Sequence, residues 1–204
     1  MSLTEPDGPQ RRRGRTLENA LLDAAWAELI ERGYDEFTME AVAARAGTSR
    51  AVLYRRWPGK QDLAMAALAH EVGKEVVVAP DTGSLRGDVI GLLKQANKVR
   101  VGLATQVFTQ LGGFYRHTGA NFAELGAFIR GGPDNSLDAA IQRAVDRGEI
   151  QAEQVTDRIA RLPVDLFRYE LLFTLRPLSD DAIEEIVDTI FLPLLDRRRA
   201  SGSR

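Results

Sequence analysis

The stretch from Thr38 to Lys60 carries side chains that suit contact with a polyanion. A guanidinium group can donate two parallel hydrogen bonds to a phosphate or to the edge of a guanine, and a hydroxyl group can donate one to a phosphate oxygen. After Glu40 this stretch contains five cations and no acid, namely Arg45, Arg50, Arg55, Arg56 and Lys60. Double-stranded DNA offers both kinds of acceptor, so we expect this stretch to contact a duplex.

Two short helices joined at Gly47 are predicted to hold these side chains. Thr38 is predicted to cap the first helix, because its hydroxyl can accept a hydrogen bond from an amide two or three residues on. Gly47 allows the positive φ of a tight turn, and Thr48 or Ser49 is predicted to cap the second helix, from about Arg50 to Arg56. This pattern predicts a helix-turn-helix whose second helix enters the major groove.

The rest of the chain is predicted to be helical as well. Apolar residues recur at four-residue spacing from about Leu17 to Arg32, Gly33 ends that helix, and a fourth helix opens at Lys60 after Pro58. No strand alternation follows, and glycines and prolines delimit helices near residues 84–103, 105–116, 119–130, 134–148, 153–176 and 179–196. The predicted fold class is all-α.

Four segments are predicted along the chain. Residues 1–15 form a disordered basic arm, 16–78 a helix-turn-helix DNA-binding domain with the start of a fourth helix, 79–196 a larger helical domain, and 197–204 a tail. Two interpretations of the arm stay open, because its cations either follow the minor groove of DNA or keep a loose end soluble. These cations are Arg11, Arg12, Arg13 and Arg15.

Composition limits the class of protein. The 204 residues are 44% hydrophobic, 27% charged and 7% aromatic, which is typical of a globular chain. No apolar run approaches the roughly 18 residues that cross a bilayer, so we expect a cytoplasmic location and no membrane partner. The chain has no cysteine, and its two histidines lie far apart in sequence, so neither a metal site nor a cofactor is predicted. The formal net charge is −2, but acids concentrate in the last helix, away from the basic stretch.

The segment LLDAAWAELIERGYDEFTMEAVAARAGTSRAVLYRRWPGKQDL resembles the DNA-binding domain of tetracycline-repressor (TetR/AcrR) family regulators. The matching elements are Arg32-Gly33-Tyr34, Thr38, Val42-Ala43, Ala46-Gly47, Ser49, Leu53-Tyr54, Trp57, Lys60 and Leu63. The resemblance implies a homodimeric repressor on a palindromic operator, with a C-terminal helical domain that holds an effector. It also implies that the protein leaves the DNA when the effector binds, and that the fourth helix transmits this change from the C-terminal domain to the DNA-binding domain.

The outward face of the second short helix and two helix starts supply the predicted DNA contacts. Arg50 is assigned to a guanine, because a bidentate arginine discriminates against a wrong base by about 1–3 kcal/mol. Thr38 and Lys60 lie at helix starts, where free amides favour a phosphate, although Thr38 can act as a plain cap. Trp57 is expected to pack inside. The full predicted set is Thr38, Thr48, Ser49, Arg50, Tyr54, Arg55 and Lys60.

The second region supplies two further groups of candidates. Aromatic residues that either line a pocket for a small apolar or amphipathic effector or form ordinary core are Phe108, Phe114, Tyr115, Phe122, Phe128, Phe167 and Phe173. The resemblance also implies that the last two helices form the dimer interface, which we place near residues 157–176 and 179–196. Its predicted members are Leu166, Leu171, Leu175, Ile183, Ile190, Phe191 and Leu194.

Two other classes of function remain as alternatives. One is a helical small-molecule-binding protein or enzyme, and the other is a protein-interaction module that does not recognise DNA. The chain has no P-loop, dinucleotide fingerprint, zincin motif or Gly-x-Ser-x-Gly elbow, so we expect no enzymatic activity.

Overall fold

The computed structural model describes residues 9–110, 114 and 136–201, without the side chains of 9–14, 108 and 197–201. Every regular element in these ranges is a helix, as the all-α prediction requires. The helices are α1 Pro9–Glu36, α2 Met39–Arg45, α3 Arg50–Tyr54, α4 Lys60–Lys74, α5 Leu85–Gln110, α6 Ser136–Asp146, α7 Asp157–Thr174, α8 Asp180–Glu185 and α9 Leu192–Ser201. A 3₁₀ turn at Ala152–Gln154 precedes α7, and a π-helical segment at Ile186–Phe191 joins α8 to α9.

The chain forms two compact units, and each unit is made of two separate segments of the sequence. The first unit comprises Met1–Lys74 and Gln106–Gly132, and the second comprises Glu75–Thr105 and Pro133–Arg204. The sequence predicts a single boundary after residue 78, whereas the first unit also includes a later segment. There the Gln110 side-chain oxygen lies 3.3 Å from the position that a Cβ on Gly33 would occupy. The Phe114 ring also meets the Tyr34 ring edge-on, with centroids 5.1 Å apart.

The first unit is built on α1, which packs against α2 and α4. One face of α1 places Leu21, Ala25 and Leu29 fully inside, because residues three and four positions apart share a face of a helix. The regular path of α1 breaks at Gly33, the residue where the sequence predicts the helix to end; its φ of +74° is a conformation that glycine adopts readily and residues with a Cβ rarely do.

The start of α1 differs from the prediction. The sequence places the start near Leu17 and a disordered arm before it, but the backbone is already helical from Pro9. Proline is well suited to the first position of a helix, since the amide that it lacks would have no partner there. Of the arginines in the predicted arm, Arg15 is exposed, and the side chains of residues 11–13 lie outside the described part of the structure.

The second unit has an apolar core to which α5, α6, α7, α8 and the π segment contribute. Its fully buried members include Val89 of α5, Ala140 of α6, Ile183 of α8 and Phe191 of the π segment. The sequence predicts a break in the first of these helices near residue 104, but α5 is continuous from Leu85 to Gln110. No proline lies near that point, so nothing in the backbone chemistry stops the helix there.

Three residues predicted at the dimer interface are buried in the chain's own core. Leu171 is 4% exposed, and Ile183 and Phe191 have no exposed surface, so these side chains cannot contact a partner copy. Apolar periodicity alone cannot distinguish an inward face from an outward one, which explains this misassignment. The remaining four predicted residues are partly exposed, namely Leu166, Leu175, Ile190 and Leu194.

The predicted pocket aromatics whose side chains the structure describes have different surroundings. Phe167 is 2% exposed within the core of the second unit, whereas Phe173 is 75% exposed and cannot line an internal cavity. Phe114 is buried against Tyr34 in the first unit. The other four predictions fall outside the described residues or side chains, namely Phe108, Tyr115, Phe122 and Phe128.

Candidate nucleic-acid interface

The turn between α2 and α3 is fixed by local backbone chemistry. Thr38 has an extended backbone, and its Oγ1 accepts a hydrogen bond from the Ala41 amide at 3.1 Å, so it caps α2 as predicted. At the other end Gly47 has a φ of +62°. The Gly47 amide donates to the Ala44 carbonyl and the Thr48 amide donates to the Ala43 carbonyl, at 3.2 and 2.9 Å. This paired arrangement ends a helix when the residue after the cap adopts the left-handed conformation.

The short helix α3 is held by one face and exposes the other. Leu53 is fully buried, and Trp57 just after the helix is 8% exposed, in agreement with its predicted packing role. Arg50, Tyr54 and Arg55 are exposed, together with Ser49 at the cap position. The Ser49 side chain lies at the cap position but makes no capping hydrogen bond to α3. This exposed face has the donors that a base edge or a phosphate requires.

Arg50 lies on this face and forms an ion pair with Glu40. Its Nη1 donates to Glu40 Oε1 at 2.9 Å, across the turn between α2 and α3. The hydrogen bond from Arg50 lowers the pKa of Glu40, and the same bond raises the pKa of Arg50. Both groups are therefore charged at neutral pH. By contrast, Arg55 makes no ion pair with any residue that the structure describes.

Arg45 is exposed, but its charge is paired with two acids of α1. Its Nε donates to Glu28 at 2.9 Å, and its two terminal nitrogens donate to the two carboxylate oxygens of Glu31. The Glu28 side chain is 2% exposed and also lies 2.7 Å from Nε of Arg32. These contacts raise the pKa of Arg45 and fasten α2 to α1. The prediction that Arg45 contributes to a basic surface is therefore corrected, because α1 supplies the acids that the local sequence lacks.

Lys60 is half-buried at the start of α4. Its Nζ donates to the carbonyl oxygens of Tyr34 and Phe37, at 3.1 and 3.3 Å, and lies 4.4 Å from the centre of the Tyr34 ring. An ammonium group has three donors, so these two bonds leave one for a phosphate. Lys60 thus joins α4 to the end of α1, a role that the sequence did not predict, and its contact with DNA stays a prediction.

The remaining predicted DNA contacts lie on either side of α2. Thr38 is exposed, and Thr48 is half-buried in the turn. Sequence reasoning did not identify Glu28 or Glu40 as relevant to this site. For Glu40 a signal existed, since a carboxylate in the first turn of α2 lies ten residues before the cation that opens α3. For Glu28 no local signal existed, because its partner lies 17 residues away.

The described part of the chain has no cluster of side chains that could hold a metal ion. His70 meets an Asp23 oxygen at 2.9 Å from its Nε2, and His117 lies outside the described residues. None of the described helices is both long and apolar enough to cross a membrane.

Comparisons with known proteins agree with this arrangement. A family model described as bacterial regulatory proteins of the tetR family matches residues 21–67, and a model described as a tetracyclin repressor-like C-terminal domain matches residues 79–190. Two relatives are similar over most of the chain. An uncharacterized HTH-type transcriptional regulator of Mycobacterium tuberculosis is 32% identical over 183 residues, which is 88% of each chain. The DNA-binding transcriptional repressor TetR of Mycobacteroides abscessus is 32% identical over 184 residues, or 90% of this chain and 96% of that one.

Solved structures share the fold. A putative TetR-family transcriptional regulator from Mesorhizobium loti aligns with a TM-score of 0.58 at 18% identity, covering 91% of this chain and 98% of that one. The flavonoid-responsive regulator FrrA aligns with a TM-score of 0.56 at 22% identity, covering 90% and 97%. With both of its parts matched by family models, the chain belongs to the tetR family of bacterial transcriptional regulators and carries that family's helix-turn-helix for DNA binding.

Proposed function

We propose that this protein is a homodimeric repressor that binds a roughly palindromic operator and leaves it when a small effector binds. The observation that carries the proposal is the exposed polar face of α3, on a helix-turn-helix whose first helix is capped by Thr38 and ended by Gly47. A relative that is 32% identical over 90% of this chain is named a transcriptional repressor, which supports repression over activation. Its target is chromosomal DNA, so we place it in the cytoplasm.

The proposed DNA contacts divide into two kinds. Arg50 contacts a guanine edge in the major groove, and Tyr54 and Arg55 contact the base edges or backbone beside it. Thr38 and Lys60 bind phosphates at the starts of α2 and α4. Base contacts set sequence preference, whereas phosphate contacts set affinity for any duplex and its dependence on salt.

Dimerisation is proposed because one short recognition helix contacts few bases. Two copies related by two-fold symmetry double the contacts and set the spacing of the half-sites. On the described surface, α7 carries exposed apolar side chains that a partner copy can cover. Tyr169 and Phe173 are 59% and 75% exposed, and their ring centroids lie 4.4 Å apart. We therefore add these two residues to the partly exposed residues of the predicted interface.

The effector is proposed to be a small apolar or amphipathic molecule held in the C-terminal domain. Support for this part comes from family membership and from the apolar interior of the second unit. Release requires that the effector bind the DNA-free arrangement more tightly than the DNA-bound one, since equal affinity would shift nothing.

The test is a gel-shift titration of the full-length protein against the DNA upstream of its own gene. A duplex of equal length from within a coding region is the control. We expect retardation of the upstream DNA at lower protein concentration, with two protomers per site and a footprint of two-fold symmetry. Equal retardation of both duplexes, or none at low salt, would contradict sequence-specific repression. Effector release is tested by adding candidate small molecules to the formed complex.

A further inference from the structure

Glu40 reaches across the turn from α2 to α3. It lies in the first turn of α2, and its Oε1 accepts a hydrogen bond of 2.9 Å from Nη1 of Arg50, the first residue of α3. The two side chains are 55% and 65% exposed, so the pair lies on the surface next to the proposed DNA-contacting residues.

The geometry of the guanidinium group allows Arg50 to serve two partners at once. The group has five N–H donors fixed in one plane, and Glu40 takes one of them at Nη1. Arg50 makes no other hydrogen bond to a residue within the described ranges, so donors at Nη2 and Nε remain. Guanine accepts two hydrogen bonds in the major groove, at O6 and N7. The contact with Glu40 and a bidentate contact with guanine therefore need not compete.

We propose that Glu40 is a positioning residue for base recognition, which braces Arg50 at one nitrogen and directs its remaining donors to a guanine without contacting DNA itself. The inference rests on the proposed function, in which Arg50 contacts a base. A side chain that is held before DNA arrives loses less freedom on binding, so the brace favours one orientation of the guanidinium plane over the many that a free arginine samples.

The brace has an opposite effect on binding to DNA of arbitrary sequence. A carboxylate near the duplex repels phosphates, so Glu40 lowers affinity for any sequence while it raises preference for one base. Specificity is a difference between two affinities, and a group can improve it while it weakens both. This combination of effects distinguishes a brace from a simple surface charge.

The experiment is selection of bound duplexes from a randomised DNA library by the purified full-length protein, followed by sequencing. The variants are Glu40→Gln and Glu40→Asp, with Glu36→Gln as the matched control. Glu36 is an exposed acid at the end of α1, and it makes no ion pair with a described residue. Affinity for a random duplex is measured in parallel by fluorescence anisotropy.

Glu40→Gln is expected to lower the base preference at one position of each half-site by about two- to fivefold, the strength of an exposed ion pair. Its affinity for the random duplex should rise. Glu40→Asp keeps the charge but has a shorter reach, so it should also lower preference at that position. Glu36→Gln should raise affinity for the random duplex without changing any base preference.

Two results would overturn the inference. If Glu40→Gln strengthens binding to every sequence equally and keeps the base preferences of the parent, Glu40 acts through its charge alone. If Glu40→Asp behaves like the parent, the length of the side chain does not matter and no brace exists. Arg50→Ala separates this inference from the proposed function. Should Arg50→Ala relax a position that Glu40→Gln leaves intact, only the brace fails, whereas unchanged preferences in Arg50→Ala would remove both proposals.

Discussion

Asp88 is a fully buried carboxylate whose removal should destabilise the second unit. Its Oδ1 accepts hydrogen bonds from the Thr82 amide and hydroxyl, both at 2.7 Å, and its Oδ2 accepts one from Arg143 at 2.9 Å. Together these bonds tie the start of α5 to the preceding loop and to α6. The isosteric change Asp88→Asn removes the charge and turns one acceptor into a donor, so the bonds on one side of the carboxyl group are lost.

The cost can be estimated from these bonds. A hydrogen bond to a charged group contributes about 1.5–3 kcal/mol, and breaking a buried ion pair costs about 3–5 kcal/mol. Arg143 is 29% exposed and keeps its hydrogen bond to the Pro80 carbonyl, so its guanidinium stays partly solvated in the variant and the lower end applies. We expect Asp88→Asn to lower the free energy of unfolding of the second unit by about 3 kcal/mol at pH 7.

The cost should depend on pH in a defined direction. Burial alone would raise the pKa of Asp88, but the hydrogen bonds from Thr82 and Arg143 outweigh burial and hold the pKa below its ordinary value. A carboxyl group with a lowered pKa in the folded state contributes stability at every pH above its unfolded pKa of about 3.9. That contribution is lost as the pH falls through the folded pKa. The difference between parent and variant should therefore be constant from pH 5 to 7 and shrink below about pH 4.

The measurement is urea unfolding followed by circular dichroism at pH 7, 5, 4 and 3. Asp81→Asn is the control, because Asp81 is 68% exposed and lies 3.7 Å from the same Arg143. A cost below 1 kcal/mol for Asp88→Asn, or one equal to that of the control, would refute the structural reasoning. So would a cost that stays constant into the acid range.

Three further predictions concern the first unit and the proposed dimer. Lys60→Ala should weaken binding to all duplexes evenly and reduce the logarithmic salt slope by about 0.9 for each bound protomer, as measured by anisotropy at several salt concentrations. A lower melting temperature with unchanged binding would leave Lys60 only its structural role. Glu28→Gln should lower the free energy of unfolding of the first unit by about 2 kcal/mol in urea titrations, because Arg45 loses a charged, buried acceptor; a neutral effect would contradict that role. If the protein dimerises as proposed, Phe173→Asp should shift it toward monomer in sedimentation velocity, while Val78→Asp, also at an exposed apolar residue, should not. An unchanged dimerisation constant in Phe173→Asp would show that Phe173 is not in the interface.

The helix-turn-helix could be predicted from sequence because its decisive signals are local. Thr38 caps a helix that starts one residue later, and Gly47 ends that helix through its own φ. The hydrogen bonds that these residues fix span three to five positions of the chain. These helix ends therefore depend only on residues close in sequence, so the local sequence is enough to predict them.

The charge of the recognition surface could not be predicted in the same way. Five cations follow Glu40 without an intervening acid, but Arg45 finds its carboxylates 14 and 17 residues earlier, on α1. Such pairs depend on how helices cross, which a count along the chain does not contain. The exposed positive surface is therefore smaller than the sequence predicts.

The apolar faces of the last helices posed a similar problem. Leu171 and Phe173 lie two residues apart on α7, and both are large and apolar. The first is 4% exposed and the second 75%. A helix with apolar residues on more than one face has several orientations that bury similar area, and only the neighbouring helices decide which one forms. The sequence pattern therefore predicts this helix but not which of its faces is buried.

The first unit is built from two separate stretches of the chain, so an exchange of the N-terminal stretch between relatives would transfer only part of the unit. A crossover near residue 75 would carry over Gly33 and Tyr34 but leave behind Gln110 and Phe114, the residues that they meet. A hybrid protein made at that position would pack residues from two different relatives against each other inside the first unit. Swapping operator preference between two such regulators should therefore succeed by grafting the exposed face of α3 alone, and fail more often when the whole N-terminal third is transplanted.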